Sequence, residues 1–277
     1  MTTSAFRRIT STTLAVAALA TFSGCASMVS DADLNAQGRA TFEKMRAEVP
    51  LVRDRPTIEF VSCVADAIVT QLDGEAAAYE WELAIFDQQP VNAFVLPGGK
   101  ISVYKGLLAI TKNDAQLAAV MGHEVAHVTE RHPAERMART KATQVGVGVL
   151  SGIVGGTPIA AQSASTALQI GAQLGLLLPF NRGQENEADR VGLMYMAKAG
   201  FDPRESIKLW QNMQNSKDNE PPEFMSTHPS SDTRIDRLVD LLPAALLEYN
   251  KARSAGLRPN CPRPTYLDPP KKPAGKT

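Results

Sequence analysis

His123, Glu124, Val125, Ala126 and His127 follow one another in this order. Residues four apart lie on one helix face, one turn apart, so both imidazoles can reach a single ion if the segment is helical. Two imidazoles suit zinc, as they suit other divalent metals. A glutamate beside the first histidine is then placed to act as general base on a water at the metal. The short pattern also describes two helix histidines with no metal. Three features favour the metal. Leu117, Val120 and Met121 precede the pair and turn its face inward, only four histidines occur in 277 residues with two of them here, and a helix rich in carboxylates follows.

That second helix contains Gln184-Glu185-Asn186-Glu187-Ala188-Asp189-Arg190. Glu185 and Asp189 are again four apart and share a face. Hydrolytic zinc sites keep three protein ligands and one open position. His123, His127 and one glutamate meet that count, with one zinc per chain. Asp189 would then accept a hydrogen bond from a ligand histidine and fix its tautomer. Spacing alone does not separate Glu185 from Glu187 as the ligand. Simple solvation is the competing reading of an acidic helix face, and Glu187 fits it.

These side chains need a scaffold, and the pattern predicts an α+β fold, mostly helical, with a small sheet flanking the active-site helix. Helical periodicity covers 31–50 and 56–73, the latter through Ile58, Val61, Val64, Ala65, Ile68, Val69 and Leu72. Strands are predicted over 79–87, 91–96 and 100–104, with Pro97-Gly98-Gly99 as a turn. Asn113 or Asp114 can cap a helix to about 131, which His132-Pro133 breaks. Helices follow over 134–150, 158–177 and 182–200, the last closed by Gly200. Asp202-Pro203 caps a helix over 203–215, Pro221-Pro222 marks a loop, and Asp232 or Thr233 starts a final long helix. The apolar run 145–180 is broken by glycines and Pro158, so it reads as two buried helices and not as a membrane span. From Arg258 a Pro-rich, loosely packed tail is expected.

The first residues read as an address. Arg7 and Arg8 precede an apolar stretch, 14–22, that is too short to span a bilayer. Phe22-Ser23-Gly24-Cys25 resembles the bacterial lipobox, which implies cleavage before Cys25 and its acylation. Ala26 in place of aspartate implies an outer-membrane destination in a Gram-negative host. The competing reading is an ordinary secretory signal. The chain thus divides into a leader, 1–24, a peptidase domain, 25–250, and the tail, 251–277. After export, Cys63 and Cys261 either close a disulfide between tail and early helix or stay as two thiols. Basic and acidic residues both number 29 and no basic stripe occurs, so nucleic acid is dropped as a partner.

Together the motifs resemble family forty-eight of the metallopeptidases, the HtpX-like and CAAX prenyl protease-type zincins, over about residues 35–245. His123 to His127 matches the family's HExxH. Glu185 to Asp189 matches its ExxxD, which implies Glu185 over Glu187 as third zinc ligand and Asp189 as its support. Asn92-Ala93-Phe94 with Pro97-Gly98-Gly99 resembles the family's strand beside the cleft, and His228-Pro229 followed by Arg234-Ile235 resembles its late His-Pro element. The resemblance points to the periplasmic lipoprotein branch, linked to outer-membrane protein quality control. No tetratricopeptide-like repeat follows the peptidase region, which leaves open any recruitment made through such repeats.

The implied activity is zinc-dependent endoproteolysis of unfolded or misfolded envelope proteins, with the enzyme held to the membrane through Cys25. Glu124 would take a proton from water and return it to the leaving amine. The strand at Asn92, Ala93 and Phe94 would receive an extended substrate on its edge. His228 would stabilise the oxyanion, block the open zinc position, or be a surface histidine in a turn. His132 would cap or pack after the active helix, and Arg234 would pair with an acidic group near the site or lie on a solvated face. The alternative function is a chaperone-like lipoprotein that binds outer-membrane proteins with little or no proteolysis.

Overall fold

The computed structural model describes residues 30–139, 180–215, 222–228 and 233–267. The leader with Cys25, the helix expected over 158–177, most of that over 134–150, Pro221, Pro229 and residues 268–277 lie outside them. The architecture is mostly helical with a three-stranded sheet, an α+β arrangement of the zincin type.

Two helices open the described chain. Helix α1 (Asp31–Glu48) is capped by the Ser30 hydroxyl, which accepts from the Asp33 N–H. Helix α2 (Arg55–Val69) is capped by Asp54 and buries Phe60, Val61, Val64, Ala65 and Ile68. Ile58, assigned to that apolar face from its spacing, is 37% exposed.

The sheet comprises β1 (Glu82–Phe86), β2 (Ala93–Leu96) and β3 (Lys100–Tyr104), in the order β1-β3-β2. Strand β3 runs parallel to β1 and antiparallel to β2. The first strand is shorter than the alternation over 79–87 predicts, because the Tyr79 and Trp81 N–H groups bond back to the Ala76 and Tyr79 carbonyls and the pairing towards β3 starts only at Glu82. Gly98 and Gly99 turn β2 into β3 with φ of 80° and 81°, a region that costs a residue with a Cβ. Among the described strands β2 pairs on one side only, which leaves its outer edge open.

After a short helix α3 (Leu107–Ile110) comes α4 (Asp114–Thr129), capped by Asn113 accepting from the Gln116 N–H. This helix is buried on nearly every face, from Ala115 through Val128. It is the centre of the molecule, packed by α2, by β2 and by the helices that follow. A helix α5 begins at 132 and is described to 139. Helix α6 (Arg182–Lys198) opens with a capping box between Asn181 and Gln184 and ends before Gly200, whose φ is 87°. Helix α7 (Glu205–Gln214) starts later than Asp202-Pro203 suggests, since Asp202 spends its carboxylate on the Arg204 N–H and guanidinium. A short helix α8 (Glu223–Thr227) stands where the sequence predicted loop, and α9 (Arg234–Ser254) closes the fold.

The expected loose tail is corrected for residues 258–267. Cys261 is buried and joined to Cys63 of α2 by a disulfide. Arg263 donates to the carbonyls of Leu108 and Leu267, and the Tyr266 hydroxyl bonds Asp54 and Thr57 at the start of α2. Proline content signalled irregular backbone here, but not a lack of packing. Among the described residues no helix is long and apolar enough to cross a membrane.

Candidate metal centre and active site

Helices α4 and α6 meet at glycines. A Cβ built on Gly122 would stand 2.6 Å from the Gly192 carbonyl oxygen, and one on Gly192 would stand 2.6 Å from the His123 nitrogen. The two backbones therefore touch one residue from the first motif histidine. This contact sets the histidines of α4 opposite the carboxylates of α6, a pairing that no local pattern specifies.

His123, His127, Glu185 and His228 converge there, all buried, and offer one donor atom each within 4.8 Å of one another. His123 Nε2 lies 3.1 Å from His127 Nε2, 3.2 Å from His228 Nδ1 and 3.5 Å from Glu185 Oε2. Glu185 Oε1 lies 3.3 Å from His127 Nε2 and 3.0 Å from His228 Nδ1. Two or three imidazoles with one carboxylate, crowded at these separations in a buried place, fit a zinc ion. Glu187, four residues before Val191 on a more exposed turn, does not join the group.

Second-layer contacts hold the donors. His123 Nδ1 is 3.1 Å from Asp189 Oδ1. Arg234 is buried, its Nη1 2.9 Å from Glu185 Oε2 and its Nη2 2.5 Å from Asp189 Oδ1, with the guanidinium 3.6 Å from the Trp210 ring centre. The solvated-face reading of Arg234 is thereby excluded. His228 is buried too and stacks on Phe224, which removes the surface-turn reading. His132 is buried between His127 and Glu187, with Nδ1 2.9 Å from His127 Nδ1 and Nε2 3.3 Å from Glu187 Oε2.

Electrostatics follow from burial and crowding. Burial lowers the His123 imidazole, but Glu185 and Asp189 outweigh it and push its pKa up to about 9. Burial raises Glu185, yet the charge on His123 and hydrogen bonds from three histidines hold it far below the carboxylate range. His127 is driven well below its ordinary value, chiefly by burial. Burial lifts Glu124 above the usual carboxyl range, against the pull of His228 and His123. Glu124 Oε1 makes no hydrogen bond, and His228 Nε2 is 3.4 Å from it. The glutamate is thus left over from metal-type contacts and raised in basicity, as a proton carrier requires.

Glu124 and His127 form one wall of a cavity of about 310 Å³. Asn92, Ala93, Phe94, Val95 and Leu96 of the β2 segment line it as well, together with the apolar side chains of Met45 and Phe180 and with Tyr104. Asn92 donates to Glu223, and the Phe224 N–H donates to the Val91 carbonyl, so α8 and the His228 turn are fastened to the same strand. Sequence reasoning missed Gly122, Gly192, Trp210, Phe180 and Arg136, whose guanidinium lies 3.8 Å from the Phe180 ring centre and lines the cavity. Phe180 stacks on His127 at 3.7 Å. Gly122, directly before His123, and Arg136, three residues after Pro133, stood near enough to the motif to draw notice.

A mostly helical α+β fold that sets an HExxH helix against a carboxylate helix, and leaves a buried glutamate over, has the make-up of a zinc metallopeptidase site. The chain belongs to peptidase family M48, whose model matches residues 59–242. It is 41% identical over 199 residues to the mitochondrial metalloendopeptidase OMA1 of Schizosaccharomyces pombe, covering 69% of this chain and 54% of the relative. It is 32% identical over 206 residues to the beta-barrel assembly-enhancing protease of Yersinia pestis, covering 72% of this chain and 42% of the relative. The corresponding protease of Escherichia coli is 29% identical over 198 residues, 69% of this chain and 40% of the relative. The chain thus spans about half the length of the curated relatives it matches.

Proposed function

We propose that this chain is a zinc-dependent endopeptidase of the bacterial cell envelope that degrades unfolded or misfolded envelope proteins, outer-membrane proteins among them. The observation that carries the reading is that β2, unpaired on its outer side among the described strands, lines one cavity together with Glu124 and His127. An extended chain adding to that edge would bring successive peptide bonds past the glutamate. A folded protein keeps most of its backbone paired and unable to add as a strand, so unfolded segments are the favoured substrates. The envelope location rests on the lipobox-like residues ending at Cys25, which would carry the lipid anchor, and on the name of the bacterial relatives.

His123, His127 and Glu185 would hold the zinc, with Asp189 behind His123. When bound, zinc supplies Lewis acidity, lowering the pKa of water towards roughly 7 and polarising the scissile carbonyl. Glu124 takes the proton of the attacking water and delivers it to the leaving amine. Arg234 neutralises Glu185 and Asp189 and keeps both carboxylates in place. His228 reaches into the donor group through Nδ1, which favours its reading as a group that closes the open ligand position at rest.

The test is cleavage of an unfolded model protein by the full chain, wild type beside Glu124→Gln, with zinc measured in both. We expect cleavage to fall by at least about 100-fold with zinc retained. Undiminished cleavage by the mutant would remove Glu124 as the base. Zinc in both samples and cleavage in neither, persisting after His228→Ala, would favour the chaperone-like reading.

A further inference from the structure

The two motif histidines are backed differently. His123 Nδ1 meets the Asp189 carboxylate directly. Behind His127 stands a second histidine, His132, and behind that the half-exposed carboxylate of Glu187. The sequence offered His132 as a cap or a packing residue and Glu187 as a solvated charge; the fold joins them in one line.

The proton order in that line can be deduced. Two imidazole nitrogens 2.9 Å apart share one hydrogen bond, so one donates and the other accepts. Were His127 Nδ1 the acceptor, the neutral ring would carry its proton on Nε2. That atom points into the donor group, 3.1 Å from His123 Nε2 and 3.3 Å from Glu185 Oε1, and a proton there bars it from a metal. With an ion held at Nε2, the reverse order would give each of these atoms a partner. Glu187 accepts from His132 Nε2–H, His132 Nδ1 accepts from His127 Nδ1–H, and His127 Nε2 keeps its lone pair for the ion.

We propose that His132 and Glu187 are positioning residues, a histidine–carboxylate relay that fixes the tautomer and ring orientation of His127 as a zinc ligand. The inference rests on the reading of His127 as a ligand. A second observation supports it. Helix α4 ends at Thr129, and Arg131 takes φ of 60°, the left-handed region that residues with a Cβ avoid. That reversal folds His132 back beneath His127, only five positions earlier. Arg131 itself is exposed and pairs with Asp31 at 2.6 Å. A non-glycine residue kept in this conformation marks a place where the chain's path matters more than local comfort.

The experiment follows zinc release from the full chain into a chromogenic chelator, and the visible spectrum after cobalt substitution. The variants are His132→Phe, His132→Gln and Glu187→Ala. Phenylalanine fills the space but cannot accept the His127 proton, whereas glutamine can accept from His127 and donate onward. We expect zinc release to quicken roughly 10- to 100-fold in His132→Phe, less in Glu187→Ala, and to return most of the way in His132→Gln. The cobalt bands should shift in the first two and recover in the third. Zinc release and cobalt spectra equal to wild type in both His132→Phe and Glu187→Ala would reduce His132 to packing and overturn the proposal. Glu187→Ala, altered at a half-exposed site, serves if His132→Phe does not fold. A wild-type chain that binds neither metal would instead overturn the ligand reading on which the relay depends.

Discussion

Gly122 of α4 and Gly192 of α6 touch backbone to backbone, and no side chain fits between them. This contact fixes how near the histidine helix comes to the carboxylate helix. Gly192→Ala should force the helices apart, costing about 1–3 kcal/mol of stability as overpacking does. It should also reduce zinc content, because the donor atoms sit on both helices. Urea unfolding and metal analysis on the full chain check this, and an alanine variant with wild-type midpoint and full zinc would show that the helices adjust freely.

His228 places Nδ1 within 3.2 Å of His123 Nε2 and 3.0 Å of Glu185 Oε1. If it closes the open ligand position at rest, His228→Ala should raise cleavage of an unfolded protein several-fold. A fall in turnover with unchanged zinc would assign it to the oxyanion instead. Initial rates on one substrate, with zinc measured in parallel, decide between the two.

Arg234 is a buried cation shared by two buried carboxylates and laid on Trp210. Removing one member of such a group leaves uncompensated charge, so Arg234→Leu should destabilise the chain by about 3–5 kcal/mol. Arg234→Lys should recover only part of this, since an ammonium cannot fork between two carboxylates or stack on indole. Denaturation midpoints of the three proteins test it. A lysine variant as stable as wild type would mean that charge alone matters at this position.

The disulfide between Cys63 and Cys261 closes 198 residues of sequence separation and pins the last described segment to α2. Its loss should cost about 2–5 kcal/mol. Cys261→Ser should therefore melt earlier than wild type under oxidising conditions, and a reductant should lower the wild type to the same temperature. If reductant shifts the mutant as much as the wild type, the effect is not that of this bond.

Local chemistry carried much of this protein in plain sight. The two motifs read as helix faces, the Asn113 cap and Gly200 terminus fell where expected, and Gly98-Gly99 turned the hairpin. Alternation and helical period are short-range signals, so they report which residues share a face. They fail where a neighbour decides. Ile58 kept the period of α2 yet faces water, and α8 formed inside a proline-flanked stretch once Phe224 found Val91 and the buried core.

The sequence by itself determined the donor types, their four-residue spacing and the glutamate beside the first histidine, because one turn of helix converts spacing into a common face. It left three histidine and arginine roles open. Tertiary structure alone decided that His228, His132 and Arg234 enter the site, from 105, 5 and 111 residues away from their motif partners. The reason is physical. Whether a polar side chain is solvated or joins a buried network depends on which surfaces close over it, and here that was set by two glycines that let α4 and α6 come into contact.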